Sequence, residues 1–228
     1  MRSMRFLFAS LALLLMTGIP RVATGIDNPQ QVTDENREHI IETFQRITDA
    51  INLGSSDVVQ TFSSEGTFRE LSRLKQSALY APASVVRTMP TAEKVIVVNL
   101  RHRFSLKALG ELNPNRLLQL TLDNGWLSRE SVSEATLGPI TFSSDKAIAV
   151  LLIQNEDRGN RCEFSKQQNT AWKMNVWCLI QRENVLLREA SLLWPGSEDE
   201  WIMQMLESAE GKQISKTIWN PPTEEHTR

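Results

Sequence analysis

The chain has 228 residues, of which 41% are hydrophobic and 23% are charged, and its formal net charge is −2. This composition is ordinary for a soluble globular protein, and the length is sufficient for one domain of moderate size with a substantial core. A charge so close to neutral excludes the broad basic field with which proteins hold nucleic acid or an anionic membrane surface.

The N-terminus has the pattern of a secretory signal peptide. Arg2 and Arg5 precede an apolar stretch of 11 residues, Phe6–Met16, and Ala23-Thr24-Gly25 offers small residues for cleavage near Gly25. The stretch is shorter than the ~20 apolar residues that span a bilayer, so we expect no transmembrane anchor after cleavage. Removing residues 1–25 takes away three arginines and no acid, which leaves 22 basic against 27 acidic side chains, a balance of −5. The sequence therefore predicts a periplasmic or secreted protein with no nucleic-acid partner.

The first half of the mature chain carries helical patterns. After a polar lead over residues 26–33, which we expect to be flexible, Thr33 or Asp34 can cap a first helix that ends at Gly54. Two shorter helices follow, and the second ends before Pro82, because the residue that precedes a proline is disfavoured in helical conformation.

Three further helical segments precede the predicted strands. Ala92–Phe104 is predicted as a helix, although its Val95–Val98 run has the propensity of a strand. Asn113 caps a helix that has proline at its first position and that ends at Gly125. A further helical turn is expected within Ser128–Glu134.

The pattern then changes to that of antiparallel strands with short, turn-rich connections. The predicted strands are Thr136–Phe142, Ala147–Gln154, Cys162–Lys166 and Ala171–Gln181. The second is apolar on both faces, which predicts that it is the most covered strand. Ser197–Glu200 forms a capping box that opens a C-terminal helix, which Gly211 ends. Helices followed by a run of antiparallel strands predict an α+β fold with a C-terminal helical extension.

Several pieces of the sequence carry a family resemblance. They are Leu100–Phe104, Leu118–Trp126, Leu137–Thr141 with Asp145–Ala147, Phe164 with Trp172–Asn175, and the C-terminal stretch that runs from Glu200 to Pro221. Together they resemble an exported, mostly uncharacterised bacterial subgroup of the NTF2-like superfamily. The resemblance implies a curved antiparallel sheet that wraps helices around a concave pocket, over residues 34–194, with residues 195–228 as a helical extension and tail. It implies no activity, because this fold hosts enzymes, ligand-binding modules and assembly domains.

The two cysteines, Cys162 and Cys178, are predicted to form a disulfide. Export to an oxidising compartment favours pairing over two buried free thiols, which are the alternative. If facing residue numbers in the last hairpin sum to 340, the chain reverses around Asn169–Ala171 and the cysteines lie opposite each other. Facing residues of a non-hydrogen-bonded pair have Cα atoms about 4.5 Å apart, which is near the short end of the disulfide range.

Of the three histidines, His102 is the candidate acid–base residue. The sequence has no nucleophile elbow, phosphate loop, calcium loop or spaced set of zinc ligands, so we predict neither a metal nor a cofactor. One interpretation places His102 at a pocket mouth as an acid–base or ligand-orienting group, where Arg101 and Arg103 receive an anion. The other is a half-buried structural histidine with both arginines in water. The catalytic set of the resembled superfamily does not map onto this chain.

Trp177 is predicted to lie on the more polar face of the last strand. There it either contacts a partner or is covered by the C-terminal helix. We therefore expect an exported, non-catalytic module that binds a small apolar ligand or a protein partner, or that forms a homodimer through its sheet. The alternative is a pocket enzyme of lyase or isomerase type that uses His102 or a buried carboxylate as its base.

Overall fold

The computed structural model describes residues 29–167 and 171–223. The predicted signal peptide, 1–25, lies outside the described residues. Within them, helices come first, a four-stranded antiparallel sheet follows, and further helices come after the sheet. The α+β prediction, with a helix C-terminal to the sheet, is confirmed. The membership in the NTF2-like superfamily stays a prediction.

Eight helices precede the sheet in the described part of the chain. They are α1 Pro29–Leu53, α2 Ser56–Phe62, α3 Glu65–Tyr80, α4 Ala83–Val86, α5 Thr91–Arg103, α6 Leu106–Glu111, α7 Pro114–Asp123 and α8 Arg129–Val132. Residues 29–33 are helical, so the prediction of a flexible lead is wrong for them. Proline suits the first position of a helix, because its φ is already helical and the first N–H groups of a helix have no partner within it.

Helix α5 lies at the centre of the helical half. Ten of its residues are buried, and it packs against α3, against the helix Trp177–Leu192 (α9) and against the C-terminal segment. A helix that is covered nearly all round shows no apolar stripe, which explains why its sequence also resembles a strand. The helix prediction for Ala92–Phe104 is confirmed.

The sheet consists of β1 Ala135–Ser143, β2 Lys146–Ile153, β3 Glu156–Gln167 and β4 Ala171–Met174, in that spatial order. The third strand begins earlier than the predicted Cys162, since a tight turn at Gln154 and Asn155 replaces the predicted loop. Both turn residues have positive φ, 53° and 63°. This is the backbone of a two-residue hairpin turn, whose usual sequence signal is a glycine that this turn lacks.

Helix α1 fills the inner face of the sheet. That face buries Ala149 and Leu151 of β2, and the hydroxyl of Thr43 donates to the Trp172 carbonyl at 3.2 Å. On the outer face Ile148 is 49% exposed, so β2 is covered mainly on one side, and its buried residues alternate along the strand. This outer face is where a sheet-mediated homodimer would form, and the dimer stays a prediction.

The last predicted strand is wrong beyond Met174. Phe164 pairs with Met174, so facing residue numbers sum to 338 instead of 340, and the chain enters helix α9, Trp177–Leu192. Two polar side chains stabilise this change of direction. The Asn175 side chain accepts from the Trp177 N–H at 3.2 Å, and the Thr67 hydroxyl accepts from the Val176 N–H at 2.9 Å. An asparagine that captures a nearby backbone N–H in this way favours a turn over a continuing strand.

The disulfide between Cys162 and Cys178 is confirmed, although it links a strand to a helix. Cys162 lies in β3 and Cys178 in the first turn of α9, with their Cα atoms 5.2 Å apart. An intramolecular disulfide indicates a compartment other than the reducing cytoplasm. None of the helices in residues 29–167 and 171–223 combines the length and apolarity that crossing a membrane requires.

The C-terminal extension contributes to the same hydrophobic core as the rest of the chain. Helix α10, Glu198–Glu210, begins with the predicted capping box and ends at Gly211, whose φ is 67°. A short 3-10 helix, Lys216–Trp219, follows and buries the Trp219 side chain. The buried Lys94 of α5 forms an ion pair with Glu198 at 2.8 Å, which fixes the start of α10 on the central helix.

The ion pair between Lys94 and Glu198 makes this docking sensitive to acid. Burial alone would raise the pKa of Glu198, but hydrogen bonds from Lys94 and Thr91 outweigh it and lower the pKa below its ordinary value. A lowered carboxyl pKa stabilises the folded state above the ordinary pKa of about 4.3 and loses this effect as the pH falls through the folded value. We expect Glu198→Gln to lower the melting temperature at pH 7 and to change it little at pH 3.

A matched control is Glu189→Gln, which neutralises an exposed carboxylate of α9. It should leave the melting temperature almost unchanged at both pH values. If Glu198→Gln lowered the melting temperature as much at pH 3 as at pH 7, the ion pair between Lys94 and Glu198 would not be the cause.

Candidate functional site

A groove of about 530 Å³ lies at the C-terminal end of α5. One wall comes from the end of α5 and the beginning of α6, and the other from the segment that follows α10. We call it the C-terminal groove and define it by its lining residues: Arg101, His102, Arg103, Phe104, Ser105, Ala108, Ile214, Ser215, Thr217, Ile218, Asn220, Pro221, Pro222 and Thr223. The three basic residues that the sequence suggested all line this one groove.

Arg101 is buried and directs its guanidinium at backbone carbonyls. It donates to Ala78 at 2.8 Å and to Ser77 at 2.9 Å, and also to Ala81 and Trp219. Burial lowers its pKa to about 10, so the group remains charged at neutral pH. These bonds join the end of α3 to the C-terminal segment, which makes Arg101 a structural clamp behind the groove.

His102 and Arg103 share one carboxylate at the end of α10. The His102 Nε2 lies 4.0 Å from the Glu210 Oε2, and the Arg103 Nη2 lies 3.0 Å from the Glu210 Oε1. The Arg103 side chain is 37% exposed, whereas that of His102 is 4% exposed. Arg103 also donates to the Asn124 side chain at 2.5 Å. Arg103 therefore presents its charge to solvent, and His102 lies deeper beside the carboxylate.

The remaining lining combines apolar residues with hydroxyl and amide groups. The apolar residues are Phe104, Ala108, Ile214, Ile218, Pro221 and Pro222, and the polar ones are Ser105, Ser215, Thr217, Asn220 and Thr223. Two arginines stand against the single carboxylate of Glu210, which leaves an excess of positive charge at the α5 end. An apolar cavity with a few polar groups that converge at one end is the usual form of a small-molecule site.

A second cavity, of about 540 Å³, lies at the sheet edge beside α9. We call it the edge cleft. Its lining residues are Pro90, Ala92, Glu93, Gly159, Asn160, Arg161, Glu163, Trp177, Ile180, Gln181, Asn184 and Val185. It thus lies between β3, α9 and the beginning of α5. Sequence reasoning missed the cleft, because both the early start of β3 and the helix at Trp177 were unforeseen.

Trp177 lines the edge cleft from the first residue of α9. It is 7% exposed, and the guanidinium of Arg73 lies 5.7 Å from its ring centroid. The prediction that it lies on the polar face of a strand is wrong, because the strand ends three residues earlier. Although burial lowers the pKa of Arg73, its ion pairs with Glu70 and Glu93 outweigh this and raise it.

The described residues contain no group of three or more His, Cys, Asp or Glu side chains that could hold a metal ion. The two cavities are lined by apolar, amide, hydroxyl and charged groups.

Comparison with known proteins gives no relative: no family model, curated protein or solved structure matches this chain. The functional argument therefore rests on the geometry of the two cavities.

Proposed function

We propose that the protein is an exported, non-catalytic binding module that takes a small, largely apolar ligand with one acidic group in the C-terminal groove. The observation that carries the proposal is the position of Arg103, a half-exposed cation in a groove that also presents the apolar residues Phe104, Ala108 and Ile218. The disulfide, together with the leader pattern of residues 1–25, supports export to the periplasm or beyond.

The apolar part of the ligand would contact Phe104, Ala108 and Ile218. A volume of about 530 Å³ lies within the range of small-ligand sites, roughly 300–1,000 Å³. Burial of apolar ligand surface supplies most of the affinity in such a site, at about 25 cal/mol per Å².

The acidic group would bind at the α5 end. Arg103 has five N–H donors, and the bonds to Glu210 and Asn124 leave room for a ligand oxygen on the exposed side of the guanidinium. A charge-assisted bond of this kind fixes the orientation of the ligand. Arg101 would contribute only the electrostatic attraction of its positive charge, because its N–H donors are directed at backbone carbonyls.

The proposal is tested with 1-anilinonaphthalene-8-sulfonate, an apolar aromatic body that carries one sulfonate. We expect saturable, one-site binding to the mature, oxidised protein. Ala108→Trp, which places a large side chain in the groove from the surface of α6, should abolish that binding. Arg103→Gln should weaken it about tenfold, because a hydrogen bond to a charged group is lost.

A control variant separates the groove from general surface stickiness. Leu193→Ser removes one of the most exposed apolar side chains, 88% accessible and outside the groove lining, and should leave the titration unchanged. Unchanged binding in Ala108→Trp would sink the proposal. Native mass spectrometry of protein that is purified after export would then show whether any cellular small molecule is retained.

The contact between His102 and Glu210 favours one alternative, a pocket enzyme in which His102 is the base. A carboxylate beside a histidine orients the ring and stabilises its charged form. If the protein is an enzyme, the His102→Gln variant purified after export should retain unreacted substrate. The bound molecule should then differ in mass or structure from the one that the wild-type protein retains. A binding module should retain the same molecule in both.

A further inference from the structure

One edge of β3 lacks a neighbouring strand over much of its length. Strand β4 pairs with β3 only from Phe164 to Gln167, and the Asn175 N–H donates to the Glu163 carbonyl at 2.7 Å before the chain turns into α9. Among residues 29–167 and 171–223, the sheet contains no other strand on that side of β3. The stretch from Gly159 to Arg161 therefore borders the edge cleft with its backbone.

The direction of the backbone groups follows from the pairing. The Lys166 N–H donates to the Asp145 carbonyl at 2.7 Å, towards the β2 side, whereas the Glu163 carbonyl accepts from Asn175 on the opposite side. In antiparallel pairing, these directions alternate from one residue to the next. Arg161 has the same parity as Glu163, so its N–H and C=O point away from β2 and into the edge cleft.

The two edges of the sheet differ in one protecting device. Strand β1 carries Pro139 in its middle, and its pairing with β2 shifts between Leu137 and Ile140. Proline and an irregularity of this kind are devices that prevent edge-to-edge pairing. Strand β3 has a similar irregularity between Asp157 and Arg161, but from Arg161 to Ser165 its register with β2 is regular. It contains no proline, and at Arg161 its edge faces a cavity of about 540 Å³.

The wall opposite Arg161 is held in place. Cys178 and Trp177 open α9, and the disulfide to Cys162 fixes this helix next to the residue that follows Arg161. From the same helix, Val185 is 37% exposed and offers apolar surface, and Gln181 offers an amide. A peptide that enters would thus meet backbone partners on one side and apolar side chains on the other.

We propose that the edge cleft binds a short extended peptide segment of a partner protein, which adds to β3 as a strand beside Arg161. The backbone of one peptide residue pairs with the N–H and C=O of Arg161, and a neighbouring apolar side chain contacts Trp177 and Val185. This is strand addition, in which main-chain hydrogen bonds give affinity and side-chain pockets give selectivity. The site is separate from the C-terminal groove, with no lining residue in common.

The test selects binders from a phage library of random seven-residue peptides on the mature, oxidised protein. The best sequence is then synthesised and titrated by fluorescence anisotropy. Arg161→Pro, which removes the N–H, should weaken binding about tenfold, whereas Arg161→Ala keeps the backbone and should bind nearly as the wild type. N-methylation of the peptide, one residue at a time, should weaken binding at the position that pairs with Arg161 and change it little elsewhere.

Two further variants test the edge cleft if Arg161→Pro fails to fold. Val185→Asp, which alters an exposed position of α9, should also abolish binding, and Ala108→Trp in the other groove should not change it. Failure to enrich any sequence would overturn the proposal. Binding that is unchanged in both Arg161→Pro and Val185→Asp would also overturn it, and so would an affinity that is insensitive to N-methylation. Concentration-dependent dimers that the peptide does not displace would assign the edge to a second copy instead.

Discussion

Arg101→Met is expected to lower the free energy of unfolding by at least about 3 kcal/mol, since several buried carbonyls lose a charged donor at once. The guanidinium binds the carbonyls of Ser77, Ala78 and Ala81 at the end of α3, and that of Trp219 in the C-terminal segment. The last carbonyls of a helix have no partner within it. The Ser77 carbonyl also accepts from the Ala81 N–H, but methionine would remove the side-chain donor of the Ala78, Ala81 and Trp219 carbonyls. Urea unfolding at pH 7 measures the difference.

The neighbouring arginine supplies the control. Arg103→Met removes a half-exposed side chain whose ion pair with Glu210 is screened by water, so the loss should stay below about 1 kcal/mol. Arg101→Lys should recover only part of the loss, because one ammonium cannot reproduce a planar fork of donors. Equal losses in Arg101→Met and Arg103→Met would contradict the clamp. Hydrogen exchange should also show that the backbone around Trp219 opens in Arg101→Met but not in Arg103→Met.

The sequence predicted the elements whose signals are local. The cap at Asn113, the capping box at Ser197 and the stop at Gly211 are all present, because each depends on a few neighbouring residues. For the buried α5, the length of the segment and charged residues that do not alternate predict a helix, although the Val95–Val98 run resembles a strand. A helix with ten buried residues loses the periodicity from which helices are usually recognised.

The stretch from Ala171 to Gln181 shows where period-two reasoning failed. Its alternating apolar residues fit a strand, with Leu179 as the exception. In the structure Leu179 and Ile180 are both buried, because α9 is covered on several sides at this point. The change from strand to helix depends on Asn175 and on Thr67, which lies more than 100 residues earlier in the chain. A tertiary contact of this kind overrides local propensity.

The sequence predicted the candidate site only in part, because tertiary contacts determine how its residues are arranged. Consecutive basic residues at the end of α5 drew attention to the C-terminal groove, and all three line it. Their individual roles differ in ways that only the fold determines, since Arg101 faces the interior and Arg103 faces solvent. The edge cleft combines three elements distant in sequence, so no local pattern could have shown it.

Loss of the disulfide is expected to lower the free energy of unfolding by about 2–4 kcal/mol, the usual range for a closed loop of this size. The bond joins Cys162 to Cys178 across 16 positions, and both side chains are buried. The predicted register of the hairpin is wrong, yet the two cysteines still pair, because the first turn of α9 places the Cys178 Cα 5.2 Å from that of Cys162. The double variant Cys162→Ala/Cys178→Ala, unfolded in urea, measures the loss.

Reduced wild-type protein separates the cross-link from the lost sulfur atoms. After unfolding and refolding in reductant, it keeps both side chains and should show nearly the whole loss, because the unfolded chain gains freedom when the loop opens. Reductant that is added briefly to folded protein should have little effect, since both sulfurs lie in the core. Equal urea midpoints for oxidised and reduced protein would mean that packing alone holds α9 against β3. In that case the edge cleft would keep its shape, and its peptide affinity would be independent of redox state.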